Sequence, residues 1–162
     1  LTISNMTSKT NLNELAMLSQ EIRRLTLKRL KELPEGFMNW RLNNTAMSFA
    51  HLAKHIIDVD EMLFTLLNST DKTFAWEMGS EEAHVNINAA SYEALLRKLE
   101  AFGNKRFILI SELNDDKIKE TIKDTTGNTM TLWWFLMHKV LEHETYHRGQ
   151  IAAYLKVLNG EQ

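Results

Sequence analysis

Cysteine is absent from the 162 residues, which excludes disulfides, thiolate metal ligands and a cysteine nucleophile. Proline occurs once and glycine six times, too few turn-formers for a fold of many short strands. Neither sign of charge dominates, with 19 Lys and Arg against 21 Asp and Glu, and no basic block marks a nucleic-acid-binding face. No apolar run approaches the roughly 18 residues of a membrane span. The opening LTISNMTSKTN lacks the basic and apolar regions of a signal peptide. The expectation is one soluble, cytoplasmic domain over 1–162, with no nucleic-acid or membrane partner. Any metal it binds must be held by His, Asp or Glu.

What the chain does have is apolar periodicity in four long stretches. Helix one is expected from about Asn11, its cap, to Leu33, on Leu15, Leu18, Ile22, Leu25 and Leu33; Pro34 and Gly36 stop it, and residues 1–10 are expected to be loose. In the connector PEGFMNWRLNNTA, Phe37 and Trp40 are expected to fold back over the end of the helices. Helix two starts near Thr45 or Ser48 and runs to about Leu67, with Phe49, Leu52, Ile56, Val59, Leu63 and Leu66 on its stripe. Asn68 to Asn88 shows no clear period and is long enough for a crossover. Helix three spans about Ala89 to Leu113 on Tyr92, Leu95, Leu96, Leu99, Phe102, Phe107, Leu109 and Leu113, with Gly103 marking a bend or close packing. IKETIKDTTGNTMTL suggests a small hairpin, and helix four covers Leu132 to Leu158. The fold class is all-α: a four-helix bundle with a long crossover between its second and third helices.

Helix four carries the most specific chemistry. At roughly 100° per residue, Trp133, Leu136, Val140, His147, Ile151, Tyr154 and Leu158 share one stripe, with His143 at its margin. Trp133 is read as core, and Trp134 as packing at an end or dimer contact. His143 and His147, four residues apart, project from one face as two ligands of a single ion must. In helix two, His55 lies about 75° from the stripe centre and His51 about 115°, so His55 is better placed to look into a bundle. His84 and His138 are read as ordinary hydrogen-bonded histidines. Three neutral imidazoles leave an ion its full charge, which lowers the pKa of a water or thiol bound to it. Such a site suits Zn, Ni, Cu or Fe.

His143-Glu144-Thr145-Tyr146-His147 also spells H-E-x-x-H, the zinc-peptidase string in which the glutamate is the general base. The extended form needs Gly and His downstream where this chain has Gln150 and Ala153. Only fifteen residues follow His147, with Glu161 the one acid among them. The zinc peptidase is therefore kept as the last of the alternatives. Glu144 then becomes a base, a residue that orients an imidazole, or a member of an ion pair; Tyr154 a donor to substrate or ligand, or packing. Arg148 is read as pairing with a substrate carboxylate or with Glu144, Asp58 as orienting a ligand or exposed, and Gly149 as permitting close packing.

The runs AMSFAHLAKHIIDVDEMLF and LMHKVLEHETYHRGQIAAYLKVLNG, with LPEGFMNWRLN between the first helices, resemble the DinB/YfiT-like superfamily of bacterial four-helix-bundle proteins. The strongest part is H-x-x-x-H-R-G-Q. The resemblance implies an up-down-down-up bundle, a homodimer, and a divalent metal on His143, His147 and one histidine of helix two. The helix-two ligand precedes an apolar-apolar-acidic run, here His55 before Ile56-Ile57-Asp58, with His51 as runner-up. Some members are S-transferases that activate a low-molecular-weight thiol such as bacillithiol or mycothiol, and others are isomerases. The resemblance therefore implies a metal-dependent enzyme, an S-transferase or a hydrolase acting on a small molecule, and the helical wheel, which sets Glu144 and Tyr154 near His147, makes them the candidate catalytic groups. The competing expectation is a non-catalytic metal- or ligand-binding bundle, in which a fourth protein ligand such as His51 or Asp58 closes the site.

Overall fold

A computed structural model describes residues 3–76 and 86–160, with side chains from residue 11 onward. In chain order the elements are α1 (Ile3–Lys31), α2 (Phe49–Asn68), β1 (Thr73–Phe74), α3 (Ala89–Glu112), a one-turn α4 (Asp115–Ile118), β2 (Thr121–Asp124), β3 (Thr129–Thr131) and a short α5 (Leu132–Trp134). A π-helical segment, Phe135–Glu142, then leads without a break into α6 (His143–Leu158). Side-chain caps fix the starts of α2, α3, α4 and α5: Ser48 accepts from the His51 amide, Asn88 from that of Ser91, Asn114 from that of Lys117 and Thr131 from that of Trp134. The expected beginnings of helices two, three and four are met. That of helix one is not, because α1 begins at Ile3, so Asn11 is no cap and the expected loose start is helical from residue 3.

Cross-helix contacts set the directions. Along α1 and α3, Gln20 meets Asn104 and Leu30 meets Tyr92, so the two run antiparallel. Along α2 and α3, Glu61 meets Lys98 and Phe64 meets Phe102, so these run parallel. Phe49 meets Tyr154 and Asp60 lies across from Glu144 through shared guanidinium groups, which turns α6 back against α2. The bundle is up-down-down-up, and the parallel α2 and α3 need the long crossover. β1 of that crossover pairs parallel with β2, and β2 antiparallel with β3, so the hairpin becomes a three-stranded sheet closing one end. Phe74 brings the crossover onto the fourth helix, its ring 4.8 Å from Phe135.

The apolar core is split in two. One cluster gathers Leu12, Ala16, Ile22, Leu63, Ile110, Phe135 and Val140; the other Leu27, Leu30, Phe49, Leu52, Leu99, Ile151 and Leu155. Between them every long helix contributes a charged residue to one buried layer: Arg23, Asp60, Arg106 and Glu144. This layer explains where the expected stripes drift. On α1 the buried face is Leu12, Ala16, Ser19, Ile22, Arg23, Thr26, Leu27 and Leu30, whereas Leu18 is exposed. On α3 it continues through Gly103, Arg106 and Ile110, leaving Phe107 and Leu109 half-covered. Trp133 is 47 % exposed and not core, because a π segment carries more residues per turn than the 100° wheel allows and rotates what precedes it. Leu132 and Phe135 take the buried positions instead. Trp40 does fold back, onto Phe49 and Tyr154, while Phe37 stays exposed.

Two glycines make opposite predictions. A Cβ on Gly103 would lie 2.5 Å from Arg23 Cγ, so α1 and α3 approach through the missing side chain. Among the described residues Gly149 has nothing within 4 Å of such an atom, so none of them packs closely on it. Gly103→Ala is expected to cost about 1–3 kcal/mol by overpacking, whereas Gly149→Ala is expected to add up to about 1 kcal/mol of helix propensity. Denaturant titration of the two variants checks the opposite signs.

Candidate metal centre

Three imidazoles meet where α2 crosses the start of α6. His143 Nε2 stands 3.0 Å from His55 Nε2 and 3.0 Å from His147 Nε2, and the ligand atoms of the three lie within 4.8 Å of one another. His55 and His147 are buried and His143 is half-buried. Each ring stands edge-on to the other two, with centroids 4.4–4.9 Å apart, so nitrogens rather than ring faces converge.

The tautomer of His147 follows from its neighbours. Gln150 Nε2 donates to the Tyr154 hydroxyl at 2.9 Å, which presents Gln150 Oε1 to His147 Nδ1 at 3.0 Å. Nδ1 therefore carries the proton, and the Nε2 lone pair points into the cluster. One proton on His143 Nε2 could serve a single neighbour, so three converging nitrogens cannot all be satisfied by hydrogen bonds among themselves. His143 Nδ1 is buried without a hydrogen-bond partner among the described residues. Nitrogens about 2.0–2.1 Å from one ion lie about 3.3 Å apart at a tetrahedral angle and about 2.9 Å apart at a right angle. The 3.0 Å separations fall between these, and the donor set fits a divalent transition metal.

Burial, then the neighbouring imidazoles, lowers His55 to about 3; burial, then His147, lowers His143 to about 4; burial also lowers His147. All three are neutral, as ligands must be, at ordinary pH. A histidine whose pKa falls on folding binds protons more tightly in the unfolded chain, so its contribution is present above the unfolded value of 6.5 and lost as pH drops below it. Chelator-treated protein is accordingly expected to show a falling thermal midpoint between pH 6.5 and about pH 3, followed by circular dichroism.

His51, the runner-up, is one turn from His55 but does not join the group, and no fourth His, Asp or Glu does among the described residues. Asp58 lies on the surface in an ion pair with Lys54 at 2.8 Å. His138 is exposed and pairs with Glu142, while His84 lies outside the described residues. Trp76, from the crossover, sets its ring 5.6 Å from that of His143. Tyr154 reaches the centre only through Gln150, its ring held between Trp40 and Phe49.

Glu144 is not placed as a base. Its Oε1 accepts from Arg23 Nε at 2.8 Å, and its Oε2 from Arg23 Nη2 at 2.9 Å and Arg106 Nη1 at 2.8 Å. Asp60 closes the quartet, accepting from Arg23 at 2.7 Å and Arg106 at 2.9 Å. Burial would raise the Glu144 carboxyl, but Arg106 and Arg23 outweigh it and hold it at about 2. The expected pairing of Glu144 with Arg148 is replaced by these two arginines. Neither was singled out by the apolar pattern, although the signal was present: Arg23 continues the buried Leu12, Ala16, Ser19 series, and Arg106 lies between Gly103 and Ile110 at helical spacing.

Comparisons place the chain. The model of the DinB family matches residues 6–159. YfiT from Bacillus subtilis, described as a probable metal-dependent hydrolase with an unusual four-helix bundle topology, superposes with a TM-score of 0.73 at 16 % identity, covering 96 % of this chain and 91 % of its own. A DinB-like protein from the same organism, YjoA, gives 0.66 at 16 % identity, covering 90 % and 92 %. No match was found among curated protein sequences. The bundle topology and a family match over nearly the whole chain agree: the chain belongs to the DinB family.

Proposed function

We propose that the chain is a metal-dependent hydrolase whose ion is held by His55, His143 and His147. The observation that carries this reading is the convergence of three neutral imidazole nitrogens with no fourth protein ligand among the described residues, the arrangement of a catalytic rather than a structural site. A divalent ion there supplies Lewis acidity, keeping its full charge because none of its protein ligands is anionic. The chain's own residues do the rest. Gln150 holds the His147 tautomer and Tyr154 holds Gln150, so Tyr154 is a positioning residue. Trp76 sets its ring edge-on beside His143 on the crossover side. The resemblance to thiol transferases keeps a second reading open, in which the site activates a low-molecular-weight thiol.

One assay separates them. Zinc-loaded and chelator-treated protein are incubated with a panel of carboxylic esters and amides, with and without a small thiol, scoring product and thiol consumption. Hydrolysis without thiol, lost on chelation and in His147→Ala, is the expected result. Turnover only with thiol would make the protein a transferase, and none in either arm would leave a metal-binding bundle.

A further inference from the structure

We infer that the cavity beside His143, between the small sheet and the π-helical segment, binds the anionic end of a small substrate with an apolar or aromatic body, and that Lys139 is the cation that reads it. Its role as a substrate subsite rests on the metal-dependent reading above; the anion binding itself does not. The cavity measures about 550 Å³, within the range of small-molecule sites, and is walled by Phe74, Trp76, Met130 and Trp134. Trp76 is common to both places, lining the cavity while its ring stands against His143. No histidine of the cluster lines this cavity itself, nor the clefts between α2 and α3 and between α1 and α3, and Trp76 is what sets this one beside His143.

Lys139 is the one cation in this lining. Its Nζ lies 4.8 Å from the Trp76 ring centroid and 6.0 Å from that of Trp134, so two indoles flank the ammonium. It makes no ion pair among the described residues, unlike Lys54, Lys98 and Lys117, and shares this with Lys105, which lies over the Phe64 ring 4.3 Å from its centroid. The only carboxylate of the lining is committed elsewhere. Asp124 accepts from the amides of Thr126 and Asn128 and from both their side chains, closing the hairpin turn. An ammonium fixed by aromatic faces and lacking a carboxylate partner favours an incoming anion, and the same indoles offer faces to its apolar body. The π-helical segment carries Lys139, and such insertions re-aim side chains at functional sites.

The test is calorimetric titration of the full chain with 4-phenylbutyrate, 4-phenylbutyramide and 4-phenylbutylamine. The carboxylate is expected to bind at least tenfold tighter than the amide, and the amine weakest. Lys139→Met should bring the carboxylate to the level of the amide, and Lys139→Arg should keep the preference. Should the Met variant fold poorly by circular dichroism, Lys139→Gln makes the same comparison. Chelator-treated protein should keep the preference, since the ion is not what reads the anion. Equal affinities in the wild type, no binding of any probe, or a preference that survives Lys139→Met would overturn the assignment. So would a preference that vanishes on chelation. Metal content measured on zinc-loaded protein before chelation keeps the two readings apart: absence of metal there with the preference intact counts against the histidine centre alone.

Discussion

Glu144→Gln is expected to lower the free energy of unfolding by about 3–5 kcal/mol, because removing one partner of a buried charge network strands the others. For a chain of this length that is a fall of roughly 6–20 °C in Tm. The carboxylate receives three guanidinium hydrogen bonds of 2.8–2.9 Å at 1 % side-chain exposure, and water cannot take their place. A glutamine keeps the shape but sets an amide N–H against Arg23 or Arg106, leaving Asp60 to balance two cations. Arg23 cannot compensate by moving, since Gly103 packs on its stem and Leu99 O accepts from its Nη1 at 2.6 Å. Replacing Arg23, Asp60, Arg106 and Glu144 together with Met and Leu is expected to recover most of the loss, because buried ion networks repay their desolvation poorly. Thermal and urea denaturation measure both variants. A fully stable Glu144→Gln protein lacking hydrolysis would instead return Glu144 to the role of a base.

Zinc at a free concentration a thousandfold above its dissociation constant is expected to stabilise the wild type by about 4 kcal/mol, or roughly 8–16 °C in Tm. The ligand nitrogens are already gathered and deprotonated in the folded chain, whereas the unfolded chain holds His55 88 residues away from His143. Binding is therefore selective for the native state. The shift should reverse with chelator and be absent in His55→Ala, which removes the α2 member of the histidine cluster. A shift of equal size in His55→Ala would mean that zinc stabilises the protein from another site.

Much of this was legible in the residues. Ser48, Ala89 and Leu132 open helices where caps and periodicity place them, and the i, i+4 spacing of His143 and His147 anticipates their meeting. His55 was separable from His51 because the latter lies about 40° further from the centre of the apolar stripe. The remainder lay in features that an apolar pattern treats as noise. Ser19, Arg23 and Thr26 occupy the buried face of α1, so a stripe drawn through leucines alone chose Leu18, which is exposed. Buried charges of opposite sign on four different helices pair across the bundle, with Ser19 and Leu99 O taking the remaining guanidinium N–H groups, and no single helix reveals its partners. The π segment moved Trp133 out of the core, since a wheel of constant pitch cannot carry an inserted residue. Glu144 fits a peptidase string by local spelling, and its true partners are 121 and 38 residues distant.

The most direct test of the histidine centre is elemental analysis of untagged protein as purified and after zinc loading, alongside His55→Ala, His143→Ala and His147→Ala. One equivalent of divalent metal per chain in the wild type, and its loss from each variant that still folds, is the predicted result. Stoichiometric metal retained by both His147→Ala and His55→Ala would contradict it.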